Sequence, residues 1–298
     1  MTNARPAGRL YVVATPIGNL GDLSPRARAV LSACALIAAE DTRHTGALLK
    51  HFDIHTPMVS LHEHNEPQRT PELLLRIQSG AEIALVSDAG TPGISDPGFE
   101  LVRACAGAGL DVVAVPGPCA LVAALSISAL PTDRFCFEGF LPARAAARRA
   151  RLDGLAEEPR TLVFYESPHR VREMLDDCVG ALGPERAAVA AREITKLHET
   201  LYRGSLAQLS LRAGAEADFA RGEIVLVVAG AVAGAPPAHG GAAAGADGHG
   251  GALDRVLKPL LKELPLKQAA HLAAQISAVR ENEAYRRALQ LKQAYGAP

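Results

Sequence analysis

The sequence predicts an α/β protein built from two successive α/β halves and a small helical module. Short apolar runs alternate with helix-like stretches as far as about residue 230, which is typical of α/β domains. After residue 252, apolar residues recur at spacings of three and four, which indicates amphipathic helices. With 298 residues and a hydrophobic fraction of 48%, the chain is long enough to bury two cores.

The predicted strands fall into two series. The first comprises LYVVA (10–14), ALIAA (35–39), EIALVS (82–87) and DVVAVP (111–116). The second comprises RFCFEGF (134–140), TLVFYE (161–166), AAVAAREI (187–194) and EIVLVVAG (223–230). Helix-like segments separate most of these runs, and a hydroxyl residue followed by proline is a common helix start. Such starts are predicted at Ser24–Pro25, Thr70–Pro71 and Ser167–Pro168.

Composition shifts divide the chain into four parts. The segment PGPCA (116–120) ends one strand and precedes an apolar helix, so it separates an α/β domain over 1–117 from a second over 118–230. Residues 231–252 are rich in alanine and glycine, which predicts a flexible linker. Residues 253–298 then form a basic helical module.

Charge and cysteine content limit the functional classes. The formal net charge is -1, but residues 253–298 contain eight Lys or Arg and four acids, which leaves +4 there and -5 elsewhere. The chain has no leader-like start and no apolar run of about 18 residues, so we expect a cytoplasmic protein. The five cysteines are scattered through apolar segments, which predicts core positions and no disulfide framework.

The loop in IALVSDAGTPGISDPG (83–98) is the strongest ligand-binding signal. Its glycines allow main chain to approach a ligand, and its prolines restrict the path of the loop. Asp88 and Asp96 make the loop acidic without a neighbouring Lys or Arg, which favours hydroxyl groups and cations over phosphates. Neither common phosphate-binding motif is present. A sulfonium cofactor that carries a ribose fits this pattern.

Two basic segments indicate a polyanionic partner. Besides the module at 253–298, the predicted helix FLPARAAARRARL (140–152) carries four arginines within eight positions. Solvated helix faces are the alternative for either segment. The sequence contains no tryptophan and only 4% aromatic residues, so a broad base-stacking surface is not expected. Four aromatic side chains either stack on one target base or fill the second core: Phe135, Phe137, Phe140 and Tyr165.

Several motifs resemble the tetrapyrrole methylase family, and in particular its branch that acts on ribosomal RNA. The matching segments are LYVVATPIGNLGDLSPRA (10–27), AAEDTRHT (38–45), LVSDAGTPGISDPG (85–98), VPGPCA (115–120), FEGFLP (137–142), FYESPHR (164–170) and AREITKLHET (191–200). The resemblance implies two αβα domains with S-adenosylmethionine in the cleft between them, a homodimer, and 2'-O-methylation of a cytidine ribose in the decoding region of 16S rRNA.

The resemblance also implies cofactor contacts. By motif position these fall on Ile17, Asp88, Thr91, Cys119 and Ala120, with Glu166 and Thr195 as weaker candidates. The first loop reads TPIGN where related tetrapyrrole enzymes carry GxGPGD, so its individual contacts stay open.

Candidate catalytic residues come from their position at the end of a predicted strand. Glu193 and Lys196 follow such a strand, and Lys196 is the first choice as a proton acceptor or an electrostatic aid to methyl transfer. A surface ion pair is the alternative for both. His62 and His64, with Glu63 between them, would place two imidazoles on one face of a strand, but no third ligand stands at metal-ligand spacing, so we predict no metal site.

The predicted RNA contacts are polar residues after strands or in the arginine-rich helix. Asp41 is also placed to cap a helix, and Arg170 to support a helix start. The set comprises Asp41, Arg43, His44, Arg144, Arg148, Arg149 and Arg170. Two other functions remain open: methylation of a corrin or porphyrin intermediate, and cofactor sensing by a non-catalytic protein that binds ribosomes.

Overall fold

The computed structural model describes residues 7–232, 250–277 and 279–295. It divides into two compact units, Met1–Ala233 and Gly234–Pro298. The first unit contains two five-stranded sheets with their helices, and the second contains three helices. The α/β class and the helical C-terminal region are therefore confirmed. Residues 233–249, which make up most of the predicted linker, lie outside the described residues.

The first sheet is entirely parallel, with strand order β3-β2-β4-β1-β5. Every residue of β2 and β4 is buried, as expected for central strands covered by helices on both faces. The strands are β1 (Arg9–Val13), β2 (Leu36–Ala39), β3 (Met58–Ser60), β4 (Ile83–Val86) and β5 (Asp111–Val115). The helices are α1 (Pro25–Ala33), α2 (Thr42–His51), α3 (Glu66–Gln78) and α4 (Phe99–Gly107). Strand β3 is short and half-buried, and the sequence pattern missed it.

The second sheet is mixed, with strand order β6-β7-β10-β8-β9. Only β6 and β7 run parallel, and the remaining pairs are antiparallel. The strands are β6 (Phe135–Phe140), β7 (Thr161–Glu166), β8 (Ala187–Arg192), β9 (Thr200–Ser205) and β10 (Ile224–Val228). The helices are α5 (Ala120–Ile127), α6 (Ala145–Asp153), α7 (Val171–Leu182) and α8 (Leu206–Ala215). Strand β9 was also missed, because its sequence TLYRGS lacks an apolar run.

One of the three predicted helix starts is confirmed and two are wrong. The Ser24 hydroxyl accepts the Ala27 N–H and caps α1 as predicted. Helix α3 instead begins at Glu66, so Pro71 lies inside it. Glu66 is held by a long-range contact, since its carboxylate accepts the N–H groups of Gly98 and Leu101.

Helix α7 also begins later than predicted. It starts at Val171, because the residues after Ser167 first form a turn in which the Ser167 carbonyl accepts the N–H groups of Arg170 and Val171. His62 and His64 likewise lie in a turn after β3 and not on a strand face. Among the described residues, no three His, Cys, Asp or Glu side chains form a group that could hold a metal.

The second unit packs three helices around its own small core. They are α9 (Gly250–Glu263), α10 (Leu266–Ser277) and α11 (Glu281–Tyr295). The fully buried positions include Leu257, Ala273 and Ala288, and the small volumes of the alanines allow close helix packing. The Arg287 guanidinium binds both carboxylate oxygens of Asp254 at 2.6 and 2.7 Å, so this arginine joins α11 to α9. No described helix is both long and apolar enough to span a bilayer.

Candidate functional site

Three loops meet at the carboxyl edge of the parallel sheet, where ligands bind in open α/β sheets. The loops after β1 and β4 are joined by two backbone hydrogen bonds between Thr15 and Gly90, at 2.9 and 3.1 Å. The Thr91 hydroxyl donates to the Pro118 carbonyl at 3.1 Å, which adds the loop after β5. The predicted glycine-rich loop, which follows β4, is thus fixed by the loops after β1 and β5.

These loops form one wall of a cavity of about 320 Å³, and the second sheet forms the other wall. The wall formed by these loops consists of Ile17, Ala89, Gly90, Thr91, Ile94, Ser95, Asp96, Cys119 and Ala120. The wall from the second half consists of Phe140, Tyr165, Glu166, Ser167, Pro168, Ala191, Ile194, Glu223, Ile224 and Val225. The lining is mainly apolar and contains three carboxyl groups, but no lysine or arginine among these described residues.

Asp96 supplies the carboxyl group of the first wall. Burial raises its pKa to about 6, against an opposing hydrogen bond from Ser87, and the charges of Glu40 and Asp88 add to the rise. Burial likewise raises the pKa of Glu40, and its carboxylate accepts the Asp88 N–H at 3.2 Å. The ends of β2 and β4 therefore hold several carboxylates close together beside the cavity.

Glu166 and Tyr165 end strand β7 on the opposite wall. Glu166 is only 2% exposed, and its Oε1 accepts the Ser167 N–H at 2.8 Å. Its Oε2 lies 3.3 Å from Arg170 Nη2 but has no hydrogen-bond partner in the structure. The Tyr165 hydroxyl accepts the Leu121 N–H at 3.1 Å, and burial is the main cause of its raised pKa. Glu166 Oε2 is thus ion-paired with Arg170 but accepts no hydrogen bond from the described residues, and a buried acceptor of this kind in a cavity wall fits a ligand that brings a donor.

The loop that follows β8 has an unusual backbone. Glu193 and Thr195 have φ values of +52° and +69°, which are rare for residues other than glycine. The Glu193 Oε1 accepts the Lys196 ammonium at 2.9 Å and the Glu223 N–H at 2.8 Å, which stabilises this conformation. Between the strained positions, Ile194 contributes its side chain to the cavity.

Lys196 is held as a cation. Its ammonium lies 3.2 Å from Glu223 Oε2 in addition to the Glu193 contact. Burial lowers its pKa, but the hydrogen bonds and charges of Glu193 and Glu223 outweigh burial and raise the pKa overall. A lysine that keeps its proton is poorly suited to accept one, so the geometry favours the electrostatic alternative of the two predicted roles.

Five of the seven predicted cofactor contacts line the cavity: Ile17, Thr91, Cys119, Ala120 and Glu166. The other two lie behind its walls. Asp88 uses its Oδ1 to accept the Asp41 N–H at 3.0 Å, and the Thr195 N–H donates to Glu199 at 2.7 Å. Ile194 and Glu223 are cavity residues that the sequence did not single out, because they become neighbours only when the second sheet folds.

The polar residues that follow β2 are Asp41, Arg43 and His44, and they lie next to the acidic end of the cavity. Asp41 caps α2 by accepting the Arg43 N–H at 2.8 Å, and it also binds the Arg43 guanidinium. The capping alternative for Asp41 is thus confirmed. Arg43 and His44 themselves are exposed at the start of α2.

The arginine-rich helix α6 is not a uniform basic face. Arg148 is buried with its side chain 3% exposed, and its Nε donates to Asp177 at 2.6 Å while Glu173 lies 3.3 Å away. The prediction that Arg148 contacts RNA is therefore wrong, because its charge is neutralised inside the domain. Arg144 and Arg149 remain exposed. Arg170 donates to the Leu141 carbonyl at 2.6 Å, which fits the alternative of a structural role at the start of α7.

Comparison with known proteins identifies the family to which this fold and cavity belong. A family model described as Tetrapyrrole (Corrin/Porphyrin) Methylases matches residues 9–210, and the chain belongs to this family. A second model, described as the RsmI C-terminal HTH domain, matches residues 247–292. The resemblance drawn from the sequence motifs is confirmed.

Curated relatives narrow the comparison. The chain is 54% identical to ribosomal RNA small subunit methyltransferase I of Pseudomonas aeruginosa, over 95% of this chain and 98% of that protein. It is 50% identical to the protein of the same name from Escherichia coli O157:H7, over 95% of each chain. The identity to the Xylella fastidiosa protein of that name is 52%, over 91% of this chain and 95% of the relative.

Solved structures share the fold at lower identity. Uroporphyrin-III-C-methyltransferase from Thermus thermophilus aligns with a TM-score of 0.54 and 21% identity, over 74% of this chain and 94% of that one. The methyltransferase CobJ aligns with a TM-score of 0.56 and 20% identity, over 76% and 95%. Uroporphyrin-III C-methyl transferase from Thermus thermophilus, complexed with S-adenyl homocysteine, aligns with a TM-score of 0.52 and 19% identity. The alignment covers 74% of this chain and 97% of that one.

Proposed function

We propose that this protein transfers a methyl group from S-adenosylmethionine to RNA of the small ribosomal subunit. The proposed acceptor is the 2'-hydroxyl of a cytidine in the decoding region of 16S rRNA. The observation that carries the proposal is the cavity. To an electrophilic, cationic methyl donor it offers apolar walls and three carboxyl groups, with no lysine or arginine among the described residues that line it. The names of relatives at 50 to 54% identity support ribosomal RNA as the acceptor.

The cavity residues fit S-adenosylmethionine, which supplies an activated methyl group bound to a sulfonium. Ile17, Cys119 and Ala120 offer apolar surface, and the Thr91 loop offers main-chain groups. Glu166 Oε2, which is ion-paired with Arg170 but accepts no hydrogen bond within the described part of the chain, is an acceptor for a cofactor amine or hydroxyl. Asp88 and Thr195 would act from behind the walls by holding the loops that carry Ala89 and Ile194. The solved neighbour with S-adenyl homocysteine supports a cofactor of this type for the fold.

Lys196 and Glu193 are proposed to support methyl transfer from the second half of the unit. The Lys196 cation holds the carboxylates of Glu193 and Glu223, and Glu223 itself lines the cavity. Methyl transfer needs donor and acceptor held in line at about van der Waals contact, so wall geometry contributes directly to rate.

RNA binding is proposed to use exposed cations outside the cavity. Arg43 and His44 lie beside its acidic end, Arg144 directly precedes α6, and Arg149 lies on α6. The segment 253–298 carries a net charge of +4, which suits phosphate contacts. We further propose that the protein is cytoplasmic and that it forms a homodimer. Gel filtration with light scattering tests the homodimer directly.

The test uses purified small subunits that lack the modification and S-adenosylmethionine with a labelled methyl group. Digestion of the RNA to nucleosides should yield labelled 2'-O-methylcytidine. Label on a base or on another nucleoside would contradict the proposed acceptor. Labelling of a corrin or porphyrin intermediate with no RNA product would favour that alternative, and cofactor binding without any product would favour a sensor.

A further inference from the structure

The mouth of the cavity carries an exposed aromatic ring whose position depends on a β-bulge. In a regular strand, residues 137 and 140 would point to opposite faces of the sheet. In β6 both rings contact Tyr165, at centroid distances of 4.9 Å for Phe137 and 5.7 Å for Phe140. The register shift between Phe137 and Gly139 explains this, because a bulge re-aims the residues that follow it. Phe140 thereby lines the cavity while it stays 55% exposed.

The bulge also contacts the acidic loop of the opposite wall. Gly139 has a φ of +61°, and the Ser95 hydroxyl would lie 3.2 Å from a Cβ at this position. Ser95 has a φ of +65°, which is uncommon for serine and turns the chain just before Asp96. Ser95, Asp96 and Phe140 therefore share the cavity mouth, although they come from different sheets.

The electrostatic surroundings of Asp96 suit proton transfer. Burial raises the pKa of its carboxyl to about 6, and the charges of Glu40 and Asp88 act in the same direction. On the facing wall, burial is the main cause of the raised pKa of Tyr165, and the charge of Asp96 adds to the rise. A carboxylate with a pKa in this range is charged at neutral pH and still basic enough to assist a hydroxyl group.

We propose that the cavity mouth is the acceptor subsite, in which Phe140 stacks on the target base and Asp96 accepts the proton of the ribose hydroxyl. This assignment rests on the proposed function. The hydroxyl oxygen forms a bond to the methyl carbon, and the carbon–sulfur bond breaks with its electron pair left on sulfur. The hydroxyl proton moves to an Asp96 carboxylate oxygen and leaves to solvent after the product departs.

The first test compares Asp96→Asn with the wild-type protein and with Glu100→Gln. Glu100 lies in the first turn of α4, outside the cavity, and pairs with Arg103. We expect Asp96→Asn to bind S-adenosylmethionine with wild-type affinity in calorimetry but to lose about a hundredfold or more in turnover. The wild-type and Glu100→Gln rates should rise with pH around pH 6, and Asp96→Asn should lose that rise.

A second readout needs no catalysis. Carboxyl-carbon NMR of the cofactor-free protein should contain one resonance that titrates near pH 6 and disappears in Asp96→Asn. This resonance reports on the cavity directly, because burial of the Asp96 carboxyl in the cavity wall is the main cause of its raised pKa.

The second test concerns Phe140. Phe140→Ala should weaken the RNA interaction, measured as the KM for small subunits, by about fivefold or more, and Phe140→Tyr should restore it. Phe135→Ala is the matched control, since Phe135 lies on the same strand, is 41% exposed and is not part of the cavity.

Each outcome decides a separate point. If wild-type protein transfers no methyl group to RNA, the proposed function fails and the assignment fails with it. If the wild type is active and Asp96→Asn keeps both its turnover and its pH profile, only the assignment of Asp96 is overturned. Loss of cofactor binding in Asp96→Asn would make it a cofactor ligand and would also overturn the assignment. Equal effects of Phe135→Ala and Phe140→Ala would overturn the stacking role.

Discussion

The two walls of the cavity are held in shape by different means. The first wall follows a parallel sheet and mostly uses glycines where the chain turns, as at Gly90 and Gly98 with φ values of +85° and +120°, and Ser95 at +65° is the exception. The second wall follows a mixed sheet and places ordinary residues, Glu193 and Thr195, in left-handed conformations. The difference teaches that the first wall is encoded locally, whereas the second depends on side-chain contacts that hold a strained loop.

The largest expected effect concerns the support of the strained loop. A methyl group at Gly222 would collide with the Glu193 carboxylate, and the φ of +74° is unfavourable for alanine. We expect Gly222→Ala to lower the free energy of unfolding by about 3 kcal/mol, measured by urea denaturation. Gly109→Ala is the control, because its φ is +69° but nothing lies within 4 Å of a Cβ there. Equal losses in the two variants would show that Glu193 does not hold the loop.

The first wall should respond to Glu66, the buried residue that anchors its loop from α3. Glu66→Gln leaves one N–H group of Gly98 or Leu101 facing an amide donor, and we expect a loss of about 2 kcal/mol. Glu72→Gln on the same helix removes a 44% exposed charge and should change stability by less than about 0.5 kcal/mol. Urea denaturation measures both, and a loss for Glu66→Gln no larger than the control would contradict this anchoring.

Lys196 tests whether the second wall contributes to rate through charge. We expect Lys196→Met to lower turnover about tenfold, equivalent to about 1.4 kcal/mol, because Glu193 and Glu223 lose their shared cation. Lys196→Arg should recover part of this loss, and the pH profile should stay that of the wild type. A complete loss of activity in both variants would instead favour a proton-accepting lysine.

The smallest expected effect is a rise in the free energy of unfolding when the Asp96 carboxyl of the first wall is replaced by a neutral amide. The folded-state pKa of Asp96, about 6, exceeds its ordinary value of 3.8, so between these values the folded protein binds more protons than the unfolded chain. Stability therefore falls as pH rises through this window, and the charged carboxylate costs stability above it. Asp96→Asn should raise the free energy of unfolding at neutral pH by about 1 kcal/mol after allowance for solvent screening, and should not raise it near pH 4. No gain at neutral pH would contradict the raised pKa.

The sequence pattern was sufficient for most strands and for the first wall. Buried runs such as IALV and IVLVV are apolar enough to be recognised alone, and glycine and proline mark the loop after β4. Strand β9 was missed because TLYRGS lacks an apolar run, and the start of α7 was misplaced because a local turn follows Ser167. The start of α3 was misplaced because the long-range contact of Glu66 with Gly98 outweighs local preferences. Among the predicted site residues, Arg148 shows the same limit, since Asp177 lies 29 positions away in the chain.

The sequence by itself determined the α/β class, the family and the acidic glycine-rich loop, because these depend on residue type and short spacing. Only the tertiary structure decided which carboxyl groups face the cavity, which arginine is neutralised and where Phe140 points. The physical reason is that burial, pKa and side-chain direction depend on neighbours from distant segments, and a single β-bulge is enough to turn a side chain to the other face of its sheet.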